Sequence, residues 1–201
     1  MKISRNMLEE KMCTSVRMVF LSNLLESKGI LDLLDALVLL KLRDCQVVCD
    51  VVGAETAEIS QARLQHEIGK RQLEAVVSYK GPLYGEAKAL MLEQSHLLVF
   101  PTYYANECFP LVLLEAMAHG LPCISTHEGA IPDIIDNGQT GFIVEKKNPQ
   151  DLAEKIALLV NDASLRAQMG TAARKKYERY YTLQRFEQRF VDCMNSVIAN
   201  I

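Results

Sequence analysis

The chain has 201 residues, 49% of them hydrophobic, and a formal net charge of −3. This length and composition fit one sizeable domain with a buried core, and the weakly acidic charge argues against nucleic acid as a partner. Basic residues in the segment 173–185 alternate with Glu178 and apolar positions, which favours a solvated helix face over a binding patch.

The N-terminus and the apolar runs predict neither a signal peptide nor a membrane span. Residues 1–15 are polar and mixed in charge, without the apolar core of a signal peptide. Asp, Lys or His residues interrupt the longest apolar runs well before they reach the length of a span. We therefore expect a cytoplasmic protein, and leave open a peripheral contact with the inner face of the membrane.

The six cysteines predict reduced thiols. No Cys-x-x-Cys pair occurs, and no histidine lies at the spacing of a zinc ligand. Cys45, Cys49 and Cys123 occur in apolar surroundings and are predicted to be small buried hydrophobic residues.

Six short runs have the composition of strands that are buried on both faces, because they are almost continuously apolar instead of alternating. A helical pattern follows each of them. This alternation predicts an α/β domain, a doubly wound, Rossmann-like parallel sheet of about six strands with helices on both faces. The predicted strands are residues 16–22, 45–53, 75–81, 96–102, 121–126 and 140–145.

Two helices have clear signatures in the sequence. Asn148 is predicted as an N-cap, with Pro149 at the first helical position. Residues 183–201 have the pattern of an amphipathic helix that closes the domain.

A sheet of this kind binds ligands outside the carboxyl ends of its strands. The loop after the first strand carries Lys28 at the start of the next helix, with Ser27 as a plausible cap, and it lacks both Gly-x-Gly-x-x-Gly and a Walker-type Gly-Lys-Ser/Thr. Lys28 could meet a phosphate bound at the helix N-terminus, or it could be a solvated lysine; both interpretations stay open.

The segment 107–122, ECFPLVLLEAMAHGLP, has a glutamate on either side of an apolar run. Pro110 fits the first turn of a helix, which leaves Phe109 as a poor N-cap that forgoes roughly 1 kcal/mol. A ligand could complete this cap. Glu115 falls in the second turn and needs a donor, because burying an unpaired carboxylate is unfavourable; ribose hydroxyls or a lysine or backbone group of the protein would both serve.

The remaining loops contribute fewer features. Gly129 and Ala130 allow a close backbone approach before another helix, and His127 is interpreted as a surface group and not as a base. The loop 80–86 places backbone groups where a flat base could lie.

Residues 107–126 resemble the Glu-x7-Glu segment of retaining glycosyltransferases of the family-4 type, which have the GT-B architecture. Residues 127–162 resemble the Gly-Gly-x-Pro-Glu loop, final strand and following helix of that family, and residues 21–37 resemble its first phosphate loop. The resemblance covers roughly residues 15–190, and the order of the segments makes it specific.

The resemblance implies a role for each matched residue. Glu107 would contact hydroxyls of the donor sugar, Glu115 would hold the nucleotide ribose, and Lys28 would bind the diphosphate; Glu107 and Lys28 are the implied catalytic residues. Residues 81–83 would touch the base. The implied donor-binding residues are Asn23, Lys28, Gly81, Leu83, Glu107, Cys108, Phe109, Pro110, Leu111, Val112 and Glu115.

The implied activity is transfer of a hexosyl group from a nucleotide sugar, most simply of the UDP type, to a saccharide or glycolipid acceptor. The family's reaction proceeds with retention, and the resemblance implies neither a metal nor another cofactor. Three residues depart from the family pattern: Asn23 stands where many members have Arg, Pro110 where many have Gly, and Asp133 where Glu is usual.

The chain resembles only the donor-binding, C-terminal half of such enzymes. We therefore expect an N-terminal extension or linker remnant (1–14), a nucleotide-sugar-binding domain (15–182) and a closing helix (183–201), with an acceptor-binding domain supplied in cis or in trans. Two alternatives remain: a half-enzyme that only binds donor, and a GT-B-like nucleotide-sugar epimerase. The absent glycine fingerprint disfavours a dehydrogenase.

Overall fold

The computed structural model describes residues 15–198, which form an α/β domain around one six-stranded sheet. All strands are parallel, and their order is β3-β2-β1-β4-β5-β6, so the order reverses beside β1 as in a doubly wound sheet. The predicted fold class is confirmed. The strands are β1 (Val16–Leu21), β2 (Val47–Val52), β3 (Val77–Gly81), β4 (Leu97–Phe100), β5 (Cys123–Thr126) and β6 (Gly141–Val144).

Helices cover both faces of the sheet. One layer contains α1 packed on α6, and the other contains α4 packed on α7. The helices are α1 (Ile30–Leu42), α2 (Gln61–Lys70), α3 (Gly85–Glu93), α4 (Leu111–Ala118), α5 (Ile131–Ile134), α6 (Pro149–Asn161), α7 (Ala163–Tyr180) and α8 (Leu183–Ile198).

The core follows from the apolar runs of the sequence. Met18, Val19 and Phe20 of β1 are fully buried, because the central strand has helices on both sides. Phe20 meets Phe100 of β4 with ring centroids 6.5 Å apart. One face of α1 is buried in this core and consists of Ile30, Leu33, Leu34, Leu37 and Leu40.

The predicted start of α6 is confirmed. Asn148 is the N-cap, its Oδ1 accepts a hydrogen bond of 3.1 Å from the backbone N–H of Asp151, and Pro149 is the first helical residue. The cap satisfies one of the N–H groups that a helix start leaves without a partner.

The C-terminal helix α8 is present but does not pack onto the core. None of its residues is buried, and its apolar face is exposed at Leu183, Phe186, Phe190 and Met194. Within residues 15–198, α8 therefore does not close the domain, because a helical period fixes the apolar face without determining what covers it. The predicted extension 1–14 lies outside the described residues.

The prediction of buried cysteines is confirmed for two of the three residues. Cys49 and Cys123 are buried, and Cys45 is half-buried. Desolvation raises the pKa of the Cys49 and Cys123 thiols far above the usual range, so both are protonated packing residues.

Among residues 15–198, no helix combines the length and the apolar character that crossing a membrane requires.

The pH dependence of stability is expected to have a contribution from His96. Its Nδ1 accepts a hydrogen bond of 2.9 Å from the Arg17 backbone N–H, and burial, with the nearby Arg166, lowers its pKa. The unfolded state, with an ordinary pKa of about 6.5, therefore binds the proton more tightly. This stabilising contribution is complete above about pH 6.5 and declines as the pH falls below it.

Urea unfolding of the wild type and His96→Asn at pH 7.5 and 5.5 measures this contribution. The Asn Oδ1 can still accept the Arg17 hydrogen bond but does not titrate. We expect the variant to lose less stability than the wild type over this interval; equal losses would contradict the assignment.

Candidate functional site

A cleft of about 140 Å³ lies at the carboxyl edge of the sheet, between the loops after β1, β2 and β3 and the first turns of α4. Parallel strands 3-2-1-4 converge here, at the position where such sheets bind ligands. Four of the residues predicted to bind a donor line the cleft: Asn23, Leu83, Val112 and Glu115.

Lys28 and Glu107, the two predicted catalytic residues, form an ion pair with each other. The distance from Lys28 Nζ to Glu107 Oε2 is 2.7 Å, and the side chains are 14% and 10% exposed. The Thr102 hydroxyl donates a hydrogen bond of 3.1 Å to the same carboxylate oxygen, and Lys28 Nζ lies 4.3 Å from the centroid of the Tyr104 ring. The ammonium is thus held in place and largely removed from solvent.

The position of Lys28 differs from the predicted helix start. Lys28 ends a 3-10 turn (Glu26–Lys28), and α1 begins two residues later with Gly29 as N-cap, so Ser27 does not cap the helix. Gly29 has φ +80°, and a Cβ atom there would overlap the Pro101 carbonyl. The Ser27 carbonyl accepts a hydrogen bond of 2.7 Å from the Tyr103 N–H. The β1 and β4 loops therefore fix Lys28 jointly.

The start of α4 differs by one residue from the prediction. Pro110 is the N-cap with φ −72° and ψ 106°, and Leu111 is the first helical residue. The φ of proline suits either position, and only its extended ψ distinguishes them. No side chain of the described residues caps this helix, so the first N–H groups of the helix lack a side-chain acceptor. Phe109 packs edge-on against Tyr181, with centroids 6.1 Å apart.

Glu115 has a lysine partner that sequence reasoning did not name. Lys88 on α3 places Nζ 2.6 Å from Glu115 Oε1, and the two side chains are 29% and 34% exposed. Both line the 140 Å³ cleft and a second groove of about 350 Å³ between α3, α4 and α7. The lysine alternative for the donor to Glu115 is therefore present. The sequence indicated that Glu115 needs a hydrogen-bond donor, but it did not indicate which lysine would supply it.

The remaining predicted residues are distributed around this edge. Gly81 ends β3 and accepts a hydrogen bond of 3.0 Å from the Gly53 N–H, which ties the β2 and β3 loops together. Cys108 is exposed beside Glu107, and Leu111 is exposed on the first turn of α4.

Residues 11–176 match the model of the family described as glycosyl transferases group 1. The chain belongs to this family. This group 1 chain is 43% identical over 89 residues to the capsular polysaccharide biosynthesis glycosyltransferase CapM of Staphylococcus aureus, a match that spans 44% of the chain and 23% of CapM.

Solved structures share the fold at lower identity. The C-terminal domain of the group 1 protein LpcC from Francisella tularensis superposes with a TM-score of 0.75 at 21% identity, over 90% of this chain and 95% of that domain. Anabaena HepE, solved in complex with UDP, gives 0.81 at 22% identity over 96% of this chain and 52% of HepE. The prediction that the chain forms one half of a GT-B fold is confirmed. The chain spans about half the length of HepE, and its match to CapM spans less than a quarter of that protein.

Metal ligands are not grouped in the described part of this group 1 domain. Between residues 15 and 198, no set of three or more His, Cys, Asp and Glu side chains is placed to hold a metal ion. Two lysine–glutamate pairs lie at this edge: Lys28–Glu107, just before α4 begins, and Lys88–Glu115, between α3 and α4. The Lys28 ammonium and a helix N-terminus that no side chain caps are groups that suit an anion such as a phosphate.

Proposed function

We propose that this chain is the donor-binding domain of a hexosyltransferase that uses a UDP-type nucleotide sugar and transfers the sugar with retention to a saccharide or glycolipid. The observation that carries the proposal is the part-buried Lys28–Glu107 pair beside the start of α4, which no side chain caps, in a member of the group 1 family. The proposal includes no metal, since lysine and backbone amides meet the diphosphate.

The donor lies along α4 in this proposal. The base rests on residues 81–83, the ribose hydroxyls meet Glu115, and the diphosphate meets Lys28 and the first amides of the helix. The bond between the anomeric carbon and the diphosphate oxygen breaks, and negative charge accumulates on the leaving nucleotide. Donors fixed in advance at that position stabilise the charge without reorganising.

Lys28 must exchange partners when a diphosphate arrives. Its ammonium is paired with Glu107 at 2.7 Å, so the phosphate competes with the carboxylate. Glu107 is then released to accept hydrogen bonds from the sugar hydroxyls. After the exchange the ammonium is paired with the phosphate and the Glu107 carboxylate keeps hydrogen-bond donors, which is required because a largely buried charge without such partners is costly.

Lys88 lies near Asn23, one of the residues that depart from the family pattern. Asn23 leaves Lys28 without the arginine that many members have beside it, yet Lys88 lines the same cleft as Asn23. In this proposal the Lys88 ammonium, paired with Glu115 at 2.6 Å, holds the Glu115 carboxylate toward the ribose.

The acceptor half is proposed to come from a second domain, in cis or in trans. The chain covers 52% of HepE. The second candidate function is a half-enzyme that binds donor without transferring it. Cytoplasmic location and peripheral association with a membrane belong to the same proposal, because glycolipid acceptors reside at a membrane face.

A transfer assay distinguishes the two candidates. Labelled UDP-sugars are incubated with the chain alone, and with the chain fused to the N-terminal half of CapM. We expect transfer by the fusion, with the anomeric configuration of the product retained by NMR and the rate unchanged by EDTA. Turnover by the chain alone would exclude the binding-only candidate, and a fusion that binds donor without transfer would support it.

Glu115→Ala is expected to weaken UDP binding by roughly 10- to 100-fold, because it removes hydrogen bonds between a charged acceptor and the ribose. The fold should survive, since the Glu115 side chain is 34% exposed. Calorimetric titration measures the affinity, and circular dichroism monitors the fold.

Lys88→Met is the matched variant, because it breaks the same ion pair and keeps the Glu115 carboxylate. We expect a smaller loss of UDP affinity than for Glu115→Ala. Unchanged affinity in Glu115→Ala would reject the ribose role.

A further inference from the structure

The loop after β5 presses against the segment that carries Glu107. Gly129 in this loop has φ +51°, and a Cβ atom there would overlap the Glu107 carbonyl oxygen and lie 2.8 Å from that of Cys108. Real Cβ atoms essentially never come closer than 3.0 Å to such atoms. The neighbouring Ala130 N–H donates a hydrogen bond of 2.9 Å to the Cys108 carbonyl.

This loop is held from its other side. Glu128 is 14% exposed and pairs with Lys146 at 2.7 Å, and the Ile131 N–H donates to the Glu128 carbonyl at 3.0 Å. Just before the loop, the Thr126 hydroxyl donates to the Thr102 carbonyl. These contacts hold the loop, although Lys146 is 61% exposed, and we expect an atom added at Gly129 to displace the Glu107 backbone.

The contacts of Glu107 leave little room for such a displacement. Glu107 Oε2 must meet both Lys28 Nζ at 2.7 Å and the Thr102 hydroxyl at 3.1 Å, and its own N–H donates to the Tyr104 carbonyl at 2.9 Å. A backbone shift of about one ångström moves the carboxylate out of hydrogen-bond range of partners at these distances.

We propose that Gly129 is a positioning residue, whose missing side chain sets the Glu107 backbone so that the Glu107 carboxylate meets Lys28. The expected effect of Gly129 on donor binding rests on the proposed function. Its expected effect on the Lys28–Glu107 ion pair does not depend on any ligand. A side chain at residue 129 would separate Glu107 from Lys28 and leave the nucleotide end of the site, at Glu115, in place.

Gly138 supplies a matched control. It also has a left-handed φ, +79°, but a Cβ atom there would meet nothing within 4 Å. Gly129→Ala and Gly138→Ala therefore share backbone strain in the left-handed region, and only the first adds an atom against Glu107.

A double-mutant cycle tests the role without a ligand. Lys28→Met, Glu107→Gln and the double variant are unfolded in urea on three backgrounds: wild type, Gly129→Ala and Gly138→Ala. We expect the non-additivity of the two substitutions in the unfolding midpoint to persist in Gly138→Ala and to be lost in Gly129→Ala. Equal coupling on all three backgrounds would overturn the proposal.

Trimethylamine oxide is added at one fixed concentration to every sample, since it strengthens folding of strained variants. If Gly129→Ala stays unfolded there while Gly138→Ala folds, the proposal is also overturned, because the residue would then serve the fold as a whole.

A ligand measurement gives the second readout. Gly129→Ala should lose at least tenfold in affinity for the UDP-sugar and less for UDP, whereas Gly138→Ala should match the wild type with both. Equal losses for the two ligands would overturn the positioning role. If UDP binds to no variant, including the wild type, the proposed function fails, and the unfolding cycle still decides the role of Gly129.

Discussion

Lys28→Met is expected to lower the rate of sugar transfer, measured in the chain fused to an acceptor domain, by about 10²- to 10³-fold. The reason is that it removes a fixed hydrogen-bond donor from the point where the leaving diphosphate gains charge. Binding of UDP should also weaken, since the diphosphate loses its pairing with an ammonium that is 14% exposed. The rate is measured in the fusion with an acceptor domain, and the affinity by calorimetry of the chain.

The same substitution should destabilise the fold. Removing Lys28 leaves the Glu107 carboxylate, 10% exposed, with the Thr102 hydroxyl as its remaining side-chain donor in the described structure. Breaking a fully buried ion pair on one side costs about 3 kcal/mol; this pair is part-buried, so the loss should be smaller, and the urea midpoint should fall.

Two variants separate binding from stability. Adding Glu107→Gln to Lys28→Met removes the unpaired charge, so stability should recover while UDP binding stays weak. Lys70→Met removes an exposed lysine of α2 and should change neither quantity. Wild-type UDP affinity in Lys28→Met would contradict the diphosphate role.

Glu107→Ala is expected to weaken binding of the UDP-sugar by roughly 10- to 100-fold, because hydrogen bonds from sugar hydroxyls to a charged acceptor are lost. Binding of plain UDP should be unchanged or tighter, since Glu107 competes with the diphosphate for Lys28 Nζ. Titration of one preparation with both ligands measures the difference.

Glu107→Gln is the companion variant, because it keeps the shape of the side chain and removes its charge. It should release Lys28 as Glu107→Ala does, while losing less of the sugar affinity. An equal loss for UDP and UDP-sugar in Glu107→Ala would contradict the division of roles between Glu107 and Lys28.

The strands and most helices were predictable because burial leaves a direct pattern in the sequence. The continuous apolar runs of β1 and β4 indicate strands with both faces covered, and the Asn148-Pro149 signature fixes the start of α6. The start of α4 was predicted one residue early, because Pro110 has the same φ as N-cap or first helical residue.

The site was predictable in its residues but not in its pairings. Lys28 and Glu107 are 79 positions apart, and Lys88 and Glu115 are 27 apart, so their contacts depend on the order of the strands. The contact of Gly129 with Glu107 depends likewise on the neighbouring ends of β4 and β5. Local periodicity contains no information about such long-range distances.

The packing of α8 was equally beyond local patterns. The apolar face of residues 183–198 predicts a helix with one covered side, and in the described structure that side is exposed.

Calorimetric titration of the 201-residue chain with UDP, GDP and ADP tests the central claim most directly. We predict saturable, one-to-one binding of UDP that weakens in Glu115→Ala, with the UDP-sugar binding through the same site. Failure of all three nucleotides to bind, in a chain whose fold is verified by circular dichroism, would contradict a self-sufficient donor site in this domain.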